Sequence, residues 1–301
     1  MSRTERPQTV RVVSARVNLR QRLRELWRYH ELFVGLVRKE LKVKYKESIL
    51  GFLWSMLNPA LYLVVFYIVF QIILGSGIPQ FPIFLLSGLL VWNLFTSALP
   101  AATGSVVGNS AIVKKVAFPR EILALATVGA SLVHFFLQSI VLLLALAVFH
   151  HSPDYSMLPM LIPALIALLL FTSALGVLLA AVNVYFRDMQ HLLELALLAW
   201  FWATPIVYPY RLVADKARTH ALLYYVYRLN PIVSIVLTFQ RAIYNKIAPL
   251  GANGKPVNIL SPAPPSWYVW QLGVIIVGSI VLGLFALTVF GRLEGNFAEE
   301  L

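Results

Sequence analysis

No Asp, Glu, Lys or Arg occurs between Ser48 and Val113, and the same holds from Ile122 to Pro153, from Tyr155 to Phe186 and from Pro256 to Gly291. An unpaired charge in hydrocarbon costs several kcal/mol, so charge-free runs of this length read as segments built to lie in lipid. A helical crossing takes about 20 apolar residues. The first run therefore holds two crossings, broken at Gly75-Ser76-Gly77-Ile78-Pro79, and the next two hold one each. Leu192 to Val207 supplies a fifth, rather short, and Trp267 to Phe290 a sixth. Charged residues are 13% of the chain, against roughly a quarter in a soluble domain. The expected fold is an all-α integral membrane protein with six transmembrane helices at 52–74, 82–110, 122–149, 159–185, 191–207 and 267–290, in one membrane domain covering 48–290.

Six crossings put both termini on one side, and the distribution of Lys and Arg selects the cytoplasmic side. Residues 1–51, the loop at 111–121, Arg187 and Arg292 carry 18 of the 25 basic residues, whereas the turns at 75–81 and 150–158 carry none. The other seven lie between Arg211 and Lys255. The net charge of +12 is then mostly a property of the cytoplasmic face, and attraction to anionic lipid headgroups accounts for it without nucleic acid. Residues 1–18 form a basic extension with no apolar h-region, unlike a signal peptide. From 19 to 47, Leu19, Leu23, Leu26, Phe33, Val37 and Leu41 recur at helical spacing while Arg20, Arg24, Arg28, Arg38, Lys42 and Lys46 take other faces. This pattern predicts an amphipathic helix on the cytoplasmic membrane surface. The external segment 208–266 reads as two short helices. Within it, Ile232–Phe239 is too short to cross and too apolar for water, which predicts a re-entrant pair. Residues 291–301 form a cytoplasmic tail.

A transporter draws on an ion gradient or on nucleotide hydrolysis. Ion coupling ordinarily uses intramembrane carboxylates, and the spans hold only Glu194, near the inner end of the fifth. A phosphate-binding Walker loop needs Gly-Lys-Ser/Thr, and the single Gly-Lys, Gly254-Lys255, precedes proline. With no cysteine there is no thiol chemistry or Cys-ligated metal. His134 and Gln138 lie one turn apart in mid-span, as a proton relay, a substrate contact or, more simply, a helix–helix hydrogen bond. His150, His151 and Asp154 have metal-binding residue types but no ligand register. No catalytic, cofactor or metal site is expected. Aromatic residues are plentiful in the spans, and most suit belts or core. Sugars present C–H faces that stack on rings, and Phe66, Phe70 and Trp92, deep in the first two spans, are the candidates for a ring-lined glycan channel.

Several strings then fall in order. The run Arg38-Lys39-Glu40-Leu41-Lys42-Val43-Lys44-Tyr45-Lys46-Glu47-Ser48-Ile49-Leu50-Gly51-Phe52-Leu53-Trp54-Ser55-Met56-Leu57-Asn58-Pro59 resembles the start of the first span in ABC-2 type permeases that export polysaccharides, O-antigen, teichoic acid or galactan. Lys114-Lys115-Val116-Ala117-Phe118-Pro119-Arg120-Glu121, Tyr185-Phe186-Arg187-Asp188-Met189 and Leu229-Asn230-Pro231-Ile232 follow at matching positions. The resemblance covers about 26–290. It implies a homodimer with two copies of a separate cytoplasmic ATPase, which binds ATP and Mg, moving a lipid-linked glycan outward across the bacterial plasma membrane. It further implies that Lys42, Lys44, Tyr45, Trp54, Asn58 and Pro59 mark the junction of interface helix and first span, and that 111–121 is a coupling helix seated on the ATPase. There Lys114, Lys115 and Arg120 would offer charges and Val113, Val116 and Phe118 an apolar plug, with Pro119 in the same contact. Arg187 and Asp188 would form a second cytoplasmic contact or an ion pair steadying it. The alternatives are an ABC-2 permease for drugs or other lipids, and a membrane-embedded glycosyltransferase or acyltransferase.

Overall fold

The structure is a computed structural model that describes residues 19–46, 51, 53–217, 225, 227, 229–245, 250, 254, 256, 259–261 and 263–301, without the side chains of Ser55, Asn58, 214–217 and Ala298. The extension 1–18, the string Glu47–Leu50 and the side chain of Asn58 thus lie outside the described residues. Regular structure among the described residues is helical, apart from one isolated bridge between Leu250 and Pro256. In chain order the helices are α1 (Leu19–Arg28), α2 (His30–Tyr45), α3 (Leu53–Phe66), which runs on into a π-helical stretch Tyr67–Ile73, α4 (Phe81–Gly108) and α5 (Ser110–Val113). They continue as α6 (Glu121–Val148), α7 (Leu161–Tyr185), α8 (Met189–Trp202), α9 (Tyr210–Ala217), α10 (Pro231–Ile243), α11 (Pro265–Leu293) and α12 (Phe297–Glu300).

Four of these, α4, α6, α7 and α11, are long and apolar enough to cross a membrane. They are not equivalent. In its most apolar stretch α4 is 83% buried, against 17% for α11, so α4 is the axis and α11 an exposed flank. The hydroxyls of Ser87, Thr96, Ser97, Thr103 and Ser105 donate to carbonyls of α4 itself one turn back, which lets polar side chains be buried without loss of partners. Close packing against α7 depends on Gly176, where an added Cβ would stand 2.8 Å from the Cβ of Ala102. Gly176→Val is expected to wedge the two helices apart at a cost of about 1–3 kcal/mol, visible as a lower thermal midpoint in detergent.

The predicted break between the first two spans is present. Gly75 (φ +57°) and Gly77 (φ +67°) take left-handed conformations that other residues adopt only with strain. The expected interface helix is also present, but it bends at Tyr29 into α1 and α2. Its stripe rests largely on protein: Phe33 and Val37 approach the backbone of α6 so closely that a Cβ at Gly129 would lie 3.0 Å from each. Trp27 points away, 82% exposed.

The expected fifth span, 191–207, ends as a helix at Trp202. With 14 residues, α8 reaches about 21 Å at 1.5 Å per residue, and Thr204, Pro205, Ile206 and Val207 continue as buried, non-helical chain. Irregular backbone at such depth needs protein partners, and Gln240 provides one by donating its amide to the Pro205 carbonyl at 3.1 Å. Of the two short helices expected in 208–266, α9 is partly exposed where its side chains are described, whereas α10 is buried along nearly its whole length. Asn230 fixes the start of α10: its Oδ1 accepts from the Trp200 indole at 2.9 Å and from the Ile232 N–H at 3.0 Å, while its Nδ2 donates to the Ala203 carbonyl and the Thr204 hydroxyl, both at 3.3 Å.

Candidate functional site

The helices gather their polar contacts at two opposite ends. At one end Arg22 of α1 bridges Glu121, the first residue of α6, and Glu294, just beyond α11. Arg120 donates to the Glu294 carbonyl at 2.6 Å and lies 5.8 Å over the ring of Phe297. The Tyr185 hydroxyl at the end of α7 donates to the Leu293 carbonyl at 2.8 Å. The Glu121 carboxylate is 1% exposed, and a carboxylate so deeply buried is stable only beside a counter-charge. The Arg22 clasp is therefore structural, and it binds the first helix, the loop before α6 and the chain after α11 into one unit.

That unit holds up the loop 114–120. Val113 is 2% exposed and anchors it from beneath. Phe118, Pro119 and Arg120 are half-buried, with Phe118 and Pro119 lining a cavity of about 650 Å³ shared with Arg22, Tyr29 and Gly295. Lys114, Lys115 and Val116 project outward, Val116 with 54% of its surface exposed. Of the residues expected to present charge and apolar surface together, the outward set is thus Lys114, Lys115 and Val116, while Val113 and Arg120 brace the loop. Arg187 and Asp188 form an exposed turn between α7 and α8, bordering a cavity of about 610 Å³ with Glu300. They do not pair with one another among the described residues. Lys39 donates to Asn109 Oδ1, tying α2 to the same end of α4.

At the opposite end the 149–158 loop is tied to α10 and to the turn before α4. His151 contacts Gln80 Oε1 at 2.6 Å and the Ile243 carbonyl at 3.1 Å, and Arg241 donates to Asp154 at 3.0 Å. The Ser156 hydroxyl above all, with Arg241 adding to it, holds the Asp154 carboxyl below its usual range. His151 and Asp154 are therefore engaged separately, and no group of three or more His, Asp or Glu able to hold a metal occurs among the described residues. His134 and Gln138 make helix–helix bonds: His134 Nδ1 to the Tyr45 hydroxyl at 2.8 Å, and Gln138 Oε1 accepting from Asn93 at 3.1 Å.

Between the ends, two open cavities run along α3 and α4. The larger, about 520 Å³, is walled by Tyr62, Phe66, Trp92, Phe201 and Trp202, with Glu194 at its margin. The smaller, about 350 Å³, shares Tyr62, Asn93 and Thr96 with it and ends at Lys44 and Tyr45. Ring contacts run through the wall: Phe66 to Phe201 at 6.0 Å, Phe201 to Trp92 at 5.5 Å, Phe66 to Phe70 at 6.0 Å. Phe66 and Trp92 line the groove, whereas Phe70 stands behind Phe66 and stacks on Phe81 at 6.2 Å. Phe201 and Asn93 join the site without having been singled out in the sequence. Phe201 sat in an aromatic cluster, Trp200-Phe201-Trp202, that gave no sign of which ring turns inward. Trp54 lies at the mouth of the smaller cavity, and Pro59 is buried inside α3. Lys42 is exposed on α2.

Among the described residues the cavities bring together aromatic, amide and hydroxyl groups and no paired acid and base. The ABC-2 type transporter family matches residues 31–244. The chain belongs to the ABC-2 type transporter family. That family consists of transporters, so the chain is a transport component and not an enzyme. Its relatives include an O-antigen export system permease protein RfbA of Myxococcus xanthus, 35% identical over 93% of this chain and 98% of the relative. The protein of that name in Klebsiella pneumoniae is 29% identical over 90% of this chain and 95% of the relative. The polysialic acid transport protein KpsM of Escherichia coli is 22% identical over 69% of this chain and 80% of the relative.

Proposed function

We propose that this chain is the permease subunit of an ABC exporter that moves a lipid-linked polysaccharide, of the O-antigen, teichoic acid or galactan type, outward across the bacterial plasma membrane. It acts as a homodimer with two copies of a separate ATPase, and ATP and Mg belong to that partner. The observation that carries the reading is the groove along α3 and α4, because an aromatic wall beside amide and hydroxyl groups matches a sugar's C–H faces and its hydroxyls. The names of the relatives, which cover nearly the whole chain, favour the same cargo. Six spans, α3, α4, α6, α7, α8 and α11, cross the bilayer, and α9 and α10 belong to a segment that re-enters from the outer side. Both termini are cytoplasmic, with the basic α1–α2 pair along the inner headgroups.

In this reading ATP-driven closure of the two ATPases pushes on Lys114, Lys115 and Val116, with Phe118 and Pro119 behind them and Arg187 and Asp188 as a second contact. The Arg22 clasp passes that movement to α1, α6 and α11. Depletion of the protein in its host tests the proposal by locating the polymer. Export predicts full-length lipid-linked polymer trapped on the cytoplasmic face. Loss of polymer synthesis would instead indicate the glycosyltransferase or acyltransferase alternative, and normal surface polymer a permease for drugs or other lipids.

A further inference from the structure

The aromatic groove ends in a polar pocket whose chemistry differs from that of the wall. Lys44 at the end of α2 brings a cation to a cavity of about 350 Å³ that is otherwise lined by neutral groups, among them Tyr45, Asn93 and Gln138, with Trp54 and Tyr62 on its outer side. Among the described residues no carboxylate lines it. Glu40, one turn back on α2, pairs with Lys39 at 3.6 Å, and Lys44 makes no ion pair among the described residues. The donors are also arranged unevenly. Gln138 Oε1 accepts from Asn93, which leaves the N–H groups of Gln138 Nε2 to meet an acceptor beside Lys44. Thr96 and Ser97 spend their hydroxyl hydrogens on the carbonyls of Trp92 and Leu94, so they face the cavity with lone pairs suited to hydroxyl donors. One part of the pocket therefore fits an anion and the adjoining part fits a sugar.

We propose that this pocket holds the phosphate group of a lipid headgroup, gripped by Lys44 and Gln138, with its chain leaving past Trp54 and its first sugar resting against Thr96, Ser97 and Tyr62. It deepens the export reading and rests on it for the sugar end. Lys44 is itself exposed at the open side of this pocket, so its ammonium can meet an incoming anion without displacing packed side chains, and the attraction grows as the bound headgroup excludes water. Trp54 and Tyr62, both about half exposed, border the pocket with surface suited to an acyl or prenyl chain. A headgroup seated here lies directly beside the aromatic wall, because Tyr62, Asn93 and Thr96 belong to both cavities.

Native mass spectrometry of the full-length chain in phosphatidylcholine nanodiscs tests this with three probes: geranylgeranyl diphosphate, geranylgeraniol and inorganic pyrophosphate. The lipid diphosphate is expected to bind at least about tenfold more tightly than either the alcohol or the free anion. Lys44→Gln is expected to weaken it about tenfold and Lys44→Arg less than about threefold, with the thermal midpoint of both variants unchanged. Equal binding of the alcohol, equal binding of free pyrophosphate, or unaltered binding in Lys44→Gln would each overturn the site. The depletion experiment separates the two readings. Polymer trapped inside together with Lys44-independent binding removes this inference alone, whereas Lys44-dependent binding with normal surface polymer supports the phosphate site and removes the export reading.

Discussion

Replacing Asn230 by Leu is expected to leave little folded permease, although the side chains are of similar size. Its amide satisfies the Trp200 indole, the first N–H of α10, the Ala203 carbonyl and the Thr204 hydroxyl at once. Leucine leaves the indole, the N–H and the Ala203 carbonyl without this partner, while the Thr204 hydroxyl keeps its bond to the Trp200 carbonyl at 2.9 Å; each buried unsatisfied group costs about 1–3 kcal/mol. Some regain bonds by relaxation, so a net loss of about 3–5 kcal/mol follows, or roughly 10 °C in thermal midpoint for a chain of this size. Scanning fluorimetry of the detergent-solubilised protein provides the measurement. A midpoint within 2–3 °C (about 1 kcal/mol) of the parent protein would mean that α10 is held by its apolar flank alone. Asn230→Asp, which keeps the two accepted bonds, is expected to lose less.

The second large effect is functional. Val116→Asp is expected to reach the membrane in normal amounts and to abolish export, because Val116 is already exposed and its replacement disturbs no packing. A carboxylate in the centre of a desolvated contact commonly costs about 2–4 kcal/mol, which weakens the ATPase complex roughly 30- to 1,000-fold. Co-purification of the ATPase with the tagged permease measures the first consequence and surface polymer the second. Phe118→Asp should also fail in both assays, but it disturbs the half-buried loop base as well, so Val116 is the cleaner probe. Normal co-purification of Val116→Asp would remove this loop from the ATPase contact.

Much of the architecture was legible in the sequence because lipid imposes a one-dimensional rule. Charges are excluded, so the gaps that began at Ser48, Ile122, Tyr155 and Pro256 coincide with α3–α4, α6, α7 and α11. The rule fails where protein replaces lipid. It could not say that α4 is enclosed while α11 is bare, since both are uniformly apolar and burial leaves no periodicity to read. It extended the fifth span to Val207, because Thr204-Pro205-Ile206-Val207 is as apolar as a helix end, and only the proline hinted at the irregular path. In the site, Phe66 and Trp92 were accessible as deep aromatics. Phe201 and Asn93 were not, for their positions follow from how α8 and α6 pack on α4. The 114–120 loop was identifiable as a block, but the division between Val116, which faces out, and Val113, which faces in, depends on the single turn of α5.

The clasp at the basic end also sets an order of events during synthesis. Arg120 and Glu294 are 174 residues apart, and at roughly 5–20 residues per second the ribosome needs about 9–35 s to bring the second after the first. Throughout that interval the Arg22–Glu121 pair lacks its third member, and the base of the loop is unfinished. A chain stalled inside its last crossing would thus carry the outward-facing Lys114, Lys115 and Val116 on an incomplete support. Completion of α11 brings Glu294 to Arg22 and Arg120 and finishes the base of the loop.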